Sequence, residues 1–119
     1  MENSVVKRID GQDRGFKFNV LTFETFSERT GVEFSEIGKH FAQKPFASIL
    51  EVVACAHEIY EHGATIDKFE VADWIDEMSD EDFQEIWNAM EMNLKKYTTK
   101  FAKKKTTKAK SSPGEKSEK

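Results

Sequence analysis

From Phe46 to Tyr60, apolar or half-polar side chains fall at Phe46, Ile49, Leu50, Val53, Ala56, His57 and Tyr60. Spacings of three and four put them on one face of a helix. Pro45 suits the first turn of that helix, and Gly63 suits its end. No other apolar face in the chain runs so long without interruption, so this segment is expected to be the central helix. A length of 119 residues leaves room for one small domain around it. Ten Phe, two Trp and two Tyr supply the core volume, since each buried aromatic removes on the order of 150–250 Å² from water.

The flanks fix the rest of the architecture. Val5, Val6 and Ile9 precede the turn dipeptide Asp10-Gly11, and Phe16 and Phe18 follow on one side of an alternating stretch. The pattern predicts a β-hairpin over roughly 4–9 and 14–19. A lone hairpin is marginal in water, so it must rest on helices or pair its edge with another chain. From residue 20 the period is helical. Leu21, Phe23 and Phe26 mark a first short helix ending at Gly31, and Ser35 introduces a second with Ile37 and Phe41. Beyond the central helix, Thr65 is the expected N-cap of a fourth, with Asp67 in its first turn and Ile66, Phe69, Ala72, Ile75 and Met78 as its inward stripe. Ser79 caps a fifth, in a capping-box-like Ser79-Asp80-Glu81-Asp82. Its stripe is Phe83, Ile86, Trp87, Met90, Leu94 and Tyr97. The expected fold class is mainly α: a single-domain bundle of about five helices over 20–100, an N-terminal hairpin within 1–19, and a disordered basic tail over 101–119.

That tail follows from composition. Residues 102–119 contain no large apolar side chain, so burial cannot offset chain entropy. Charge divides at nearly the same place. Residues 1–94 hold 8 Lys/Arg against 20 Asp/Glu, net −12, while residues 95–119 hold 10 Lys against 2 Glu, net +8. An acidic body repels phosphate, which argues against nucleic-acid binding by the folded part. The tail has two readings: a loose, salt-sensitive contact with nucleic acid or acidic surfaces, or a solubilising end. It lacks the Arg and interleaved aromatics of specific contact. Cys55 is the sole cysteine, and no apolar run approaches a membrane span. No signal segment opens the chain. The expectation is a soluble protein of a reducing compartment with no membrane association.

Chemistry-bearing residues are present without a catalytic pattern. His57 and His62 stand five apart, roughly 140° around a helix, so they cannot share one metal. Asp73, Asp76, Glu77, Asp80, Glu81, Asp82 and Glu85 are dense but lack the calcium-loop spacing and its glycine. Cys55 has no motif partner and reads as a small buried hydrophobe. No phosphate-binding or nucleophile-elbow motif occurs. No enzyme activity, catalytic residue, metal or cofactor is expected. Trp74 lies off the fourth stripe and Trp87 on the fifth. They either complete the core or join Met90, Met92 and Leu94 in an exposed patch suited to a helical partner.

The order of features resembles the tail assembly chaperones of long-tailed bacteriophages. It is carried over roughly 14–97 by Phe16-Lys17-Phe18, the run Leu21 to Gly31 with its Thr30-Gly31 corner, the helix Phe46 to His62, Asp73-Trp74-Ile75-Asp76 and Ser79-Asp80-Glu81-Asp82-Phe83. The resemblance implies a small, mostly helical phage or prophage protein working in the bacterial host cytoplasm. It implies binding to the tape measure protein, which such chaperones keep soluble while tail tube subunits assemble, with the major tail protein as a further candidate partner. Self-association is expected through the hairpin edge or the aromatic patch. The partner groove is expected between the fourth and fifth helices, lined by Trp74, Met78, Trp87, Met90 and Leu94. The alternative is a nucleic-acid-associated accessory protein acting through its lysine tail.

Overall fold

Two residues with positive φ, Asp10 at 55° and Gly11 at 76°, close a two-residue turn between β1 (Ser4–Ile9) and β2 (Gln12–Lys17). Both central residues left-handed is the type I′ geometry whose twist matches antiparallel strands. The strands pair from Ile9↔Gln12 back to Ser4↔Lys17. The second strand therefore begins at Gln12, two residues before the predicted start, because so tight a turn leaves no loop to spare. The computed structural model describes residues 3–108. It is mainly α, with a two-stranded antiparallel hairpin and five α-helices among the described residues.

Local chemistry sets most helix ends. Asn19 caps α1 (Val20–Thr30) by accepting from the Thr22 N–H at 3.1 Å, and Gly31 closes it in the left-handed region at φ 74°. A 3-10 turn, Phe34–Glu36, leads into α2 (Ile37–Gln43). Pro45 opens α3 (Pro45–Tyr60). Ser48 Oγ donates to Lys44 O at 2.6 Å and lies 2.6 Å from His40 Nδ1, tying α2 to α3 at their junction. The cap of α4 (Lys68–Glu77) is Asp67, which accepts from Glu70 N–H at 3.0 Å; Thr65 stays outside the helix. The reason is Glu58, whose Oε2 accepts from Ile66 N–H at 3.0 Å and holds that residue in the loop while its side chain buries. Ser79 Oγ accepts from Asp82 N–H at 3.1 Å at the start of α5 (Asp80–Lys108).

The 29 residues of α5 span about 44 Å at 1.5 Å per residue. Once nucleated, a helix adds residues at little cost, and Lys and Ala are good helix formers. The helix backbone accordingly continues eight residues into the stretch 101–119 expected to lack structure, and residues 109–119 lie outside the described residues. No helix among the described residues is long and apolar enough to cross a membrane.

The central helix is α3, as its periodicity predicts. Ile49 and the run Val52 to His57 are all buried. The hairpin and α1 lie against it, contributing Ile9, Phe16, Phe18, Phe23 and Phe26 to one continuous core. Arg29 of α1 bridges to Glu51 at 3.3 Å and to Glu58 on α3. Lys7 of β1 bridges to Asp82 at 3.3 Å and to Glu85, so part of the acidic stretch anchors α5 beneath the strand. Those carboxylates raise the Lys7 pKa, with the Glu85 hydrogen bond as the largest cause.

Four residues expected on apolar helix faces are exposed: Leu21, Tyr60, Phe46 and Phe69. Phe46 is 81% exposed and Phe69 is 74% exposed. Each sits in the first turn of its helix. The fully buried residues of α4 are Val71 and Trp74, because the core offers a socket for an indole there, while Ile75 and Met78 of the expected stripe pack partly buried against the core.

Candidate functional site

That socket is formed by the hairpin and α3. The Trp74 ring meets His57 edge-on at 5.0 Å between centroids and Phe16 at 6.0 Å, and the Arg14 guanidinium lies 4.5 Å from its centroid. His57 is buried and donates through Nδ1 to Gly15 O at 2.9 Å. A buried imidazole with this partner is a structural pin between helix and strand. Trp74 is thus a core residue, 4% exposed, and cannot line a surface.

An apolar opening lies between α2 and α5. It encloses about 370 Å³ and is lined by Ser35, Gly38, Phe41, Trp87, Met90, Glu91, Leu94, Lys95 and Thr98. Phe41 forms its floor, stacked on Phe26 at 5.6 Å and met edge-on by Trp87 at 5.9 Å. Met90 and Leu94 show only their edges to it, at 2% and 9% exposure, whereas Trp87 is half-buried. Glu91, Lys95 and Thr98 give it a polar rim. Of the five residues proposed from sequence, the structure brings Trp87, Met90 and Leu94 together. Trp74 is in the core, and Met78 is half-buried in the link between α4 and α5.

Sequence reasoning missed the α2 side of this groove. Phe41 was legible as an apolar position, but not which helix it would face. Gly38 carried a signal: a glycine inside a short helix is unfavourable by roughly 0.5–1 kcal/mol relative to alanine. A Cβ added at Gly38 would meet nothing within 4 Å. Its missing side chain widens the groove rather than relieving a contact.

The remaining chemistry-bearing groups do not converge. Among the described residues, no group of three or more His, Cys, Asp or Glu is placed to hold a metal. His57 is buried while His62 is exposed. Burial pushes the Cys55 thiol up to about 12, against the pull of Arg29, so it stays protonated and un-nucleophilic at neutral pH. Glu51, Glu58 and Arg29 beside it are spent on the bridges between α1 and α3. What the site offers is an apolar slot with a polar rim, suited to taking side chains from another chain. Comparison with protein-family models, curated proteins and solved structures finds no match.

Proposed function

We propose that this chain is a non-enzymatic tail assembly chaperone of a long-tailed phage or prophage. It receives an apolar stretch of the tape measure protein in the groove between α2 and α5 and keeps it soluble while the tail tube assembles. The observation that carries the reading is the open slot floored by Phe41 and walled by Trp87, Met90 and Leu94. An amphipathic helix presents side chains at i, i+3, i+4 and i+7, and a groove of this kind takes one or two turns of such a face. Aromatic and Met side chains adapt to varied apolar ligands. The sequence resemblance supports the class of partner, and the acidic body supports dispersal of the complex.

The test is co-expression with a helical tape-measure fragment that is insoluble alone. Wild type is expected to carry it into the soluble fraction. Gly38→Leu fills the slot from a position with free space around it, so the variant is expected to fold and to lose the fragment. A folded Gly38→Leu protein that solubilises the fragment as well as wild type would remove this groove as the site.

A further inference from the structure

The two edges of the hairpin differ. Asn3 O accepts from Phe18 N–H at 2.7 Å, which extends the ladder and fixes its phase. With the register Ser4↔Lys17, the groups of Val5, Lys7 and Ile9 point into the hairpin, and those of Ser4, Val6 and Arg8 point outward. On β2 two of the three outward carbonyls are taken, Gly15 O by His57 Nδ1 and Lys17 O by Thr22 Oγ1 at 2.5 Å. On β1 no described residue bonds the outward N–H or C=O of Ser4, Val6 or Arg8. Unpaired strand edges of this kind are templates for another strand.

We infer that β1 pairs antiparallel with β1 of a second copy, about a two-fold axis through Val6, to make a four-stranded sheet. The sequence of the strand selects this partner and this register. Opposing Lys7 to Lys7, or Arg8 to Arg8, sets like charges directly across the ladder, which is destabilising. A register centred on Val5 pairs only Ser4, Val5 and Val6 within the strand and carries Lys7, Arg8 and Ile9 past its end. Centring on Val6 sets Val6 against Val6, Ser4 against Arg8 and Val5 against Lys7, with no like-charge pair. Each Ser4–Arg8 pair and the Val6 pair then exchange both of their outward hydrogen bonds.

The outer face of the sheet fits as well. Val6 pairs with Gly15, and the space a Gly15 side chain would fill is occupied by the Tyr60 ring. Val6 and Tyr60 are 48% and 43% exposed. Across the axis they form one apolar row: Tyr60, Val6, then Val6 and Tyr60 of the second copy. This inference does not depend on the chaperone reading.

Sedimentation equilibrium of the full chain tests it. Wild type is expected at twice 13.7 kDa. Val6→Lys places two ammonium groups across the axis and is expected to sediment at half the wild-type mass with unchanged circular dichroism. Val6→Glu alone is expected to do the same. Mixing the two restores opposite charges across the pair and is expected to return the doubled mass. A monomeric wild type, an oligomer that survives Val6→Lys, or a mixture that stays monomeric would each overturn the inference.

Discussion

Trp74 and Trp87 stand thirteen residues apart in one acidic stretch, on consecutive helices. One is sealed among Phe16, His57 and Arg14; the other forms a wall of an open groove against Phe41. The difference is not in the residues but in what faces them. The hairpin lies over α3 and closes the socket for Trp74, whereas α2 is only seven residues long and carries a glycine where it faces Trp87. Identical side chains become structure on one side and candidate surface on the other because the opposing element is full on one side and deficient on the other.

Truncation separates the two sides most strongly. Trp74→Ala is expected to destabilise by about 3–5 kcal/mol, as large aromatic deletions in cores do. Trp87→Ala is expected to cost about 1–2 kcal/mol, because a half-buried ring loses less area. Denaturant midpoints at equal slope measure both, and equal losses would erase the distinction between sealed and open sides.

The alkaline limb of stability probes the buried Cys55 thiol, alongside Lys7, whose raised pKa makes its ion pairs a second contribution lost at high pH. The Cys55 pKa is raised in the folded state from 9.0 to about 12. Its contribution is therefore complete below pH 9 and is lost as pH rises towards 12, because the unfolded chain releases the thiol proton first. The slope expected from the thiol is at most about 1.4 kcal/mol per pH unit in that window. Cys55→Ala should remove that part, and an unchanged slope would show that the thiol is not sealed.

Smaller effects sharpen the picture. Asn93 is fully buried in α5, and its amide donates to Ala89 O at 2.8 Å while Oδ1 has no partner among the described residues. Replacing such a group with an apolar one of similar size is expected to be neutral or to stabilise by about 1 kcal/mol; thermal melting of Asn93→Leu checks this. Gly38→Ala is expected to stabilise by about 0.5–1 kcal/mol, since the added methyl meets nothing. A loss there would mean that α2 needs its glycine for folding rather than for the width of the groove.

The features legible in the sequence are local ones. Asp10-Gly11, Gly31, Pro45 and Ser79 act within a turn or two of chain, and each ends or begins an element as read. The apolar period of α3 likewise shows on its own. What was not legible is rotation and partnership. Positions 66, 69, 72, 75 and 78 share the helical spacing of three, but α4 turns Val71 and Trp74 inward because Phe16 and His57, more than 15 residues away, accept the indole. Asp67 displaces Thr65 as cap because Glu58 holds Ile66 from across a loop. Gly15 makes room for Tyr60 at a separation of 45 residues, which no window of sequence contains. The groove pairs α5 with α2 for the same reason: helix period says which side is apolar, not which neighbour will meet it.

The central claim, that the α2–α5 side is the one offered to a partner, is tested most directly by the two indole N–H resonances of ¹⁵N-labelled protein titrated with a helical tape-measure fragment. The Trp87 signal is expected to shift or broaden on binding while the Trp74 signal stays in place. Binding that moves Trp74 and leaves Trp87 untouched would contradict the account.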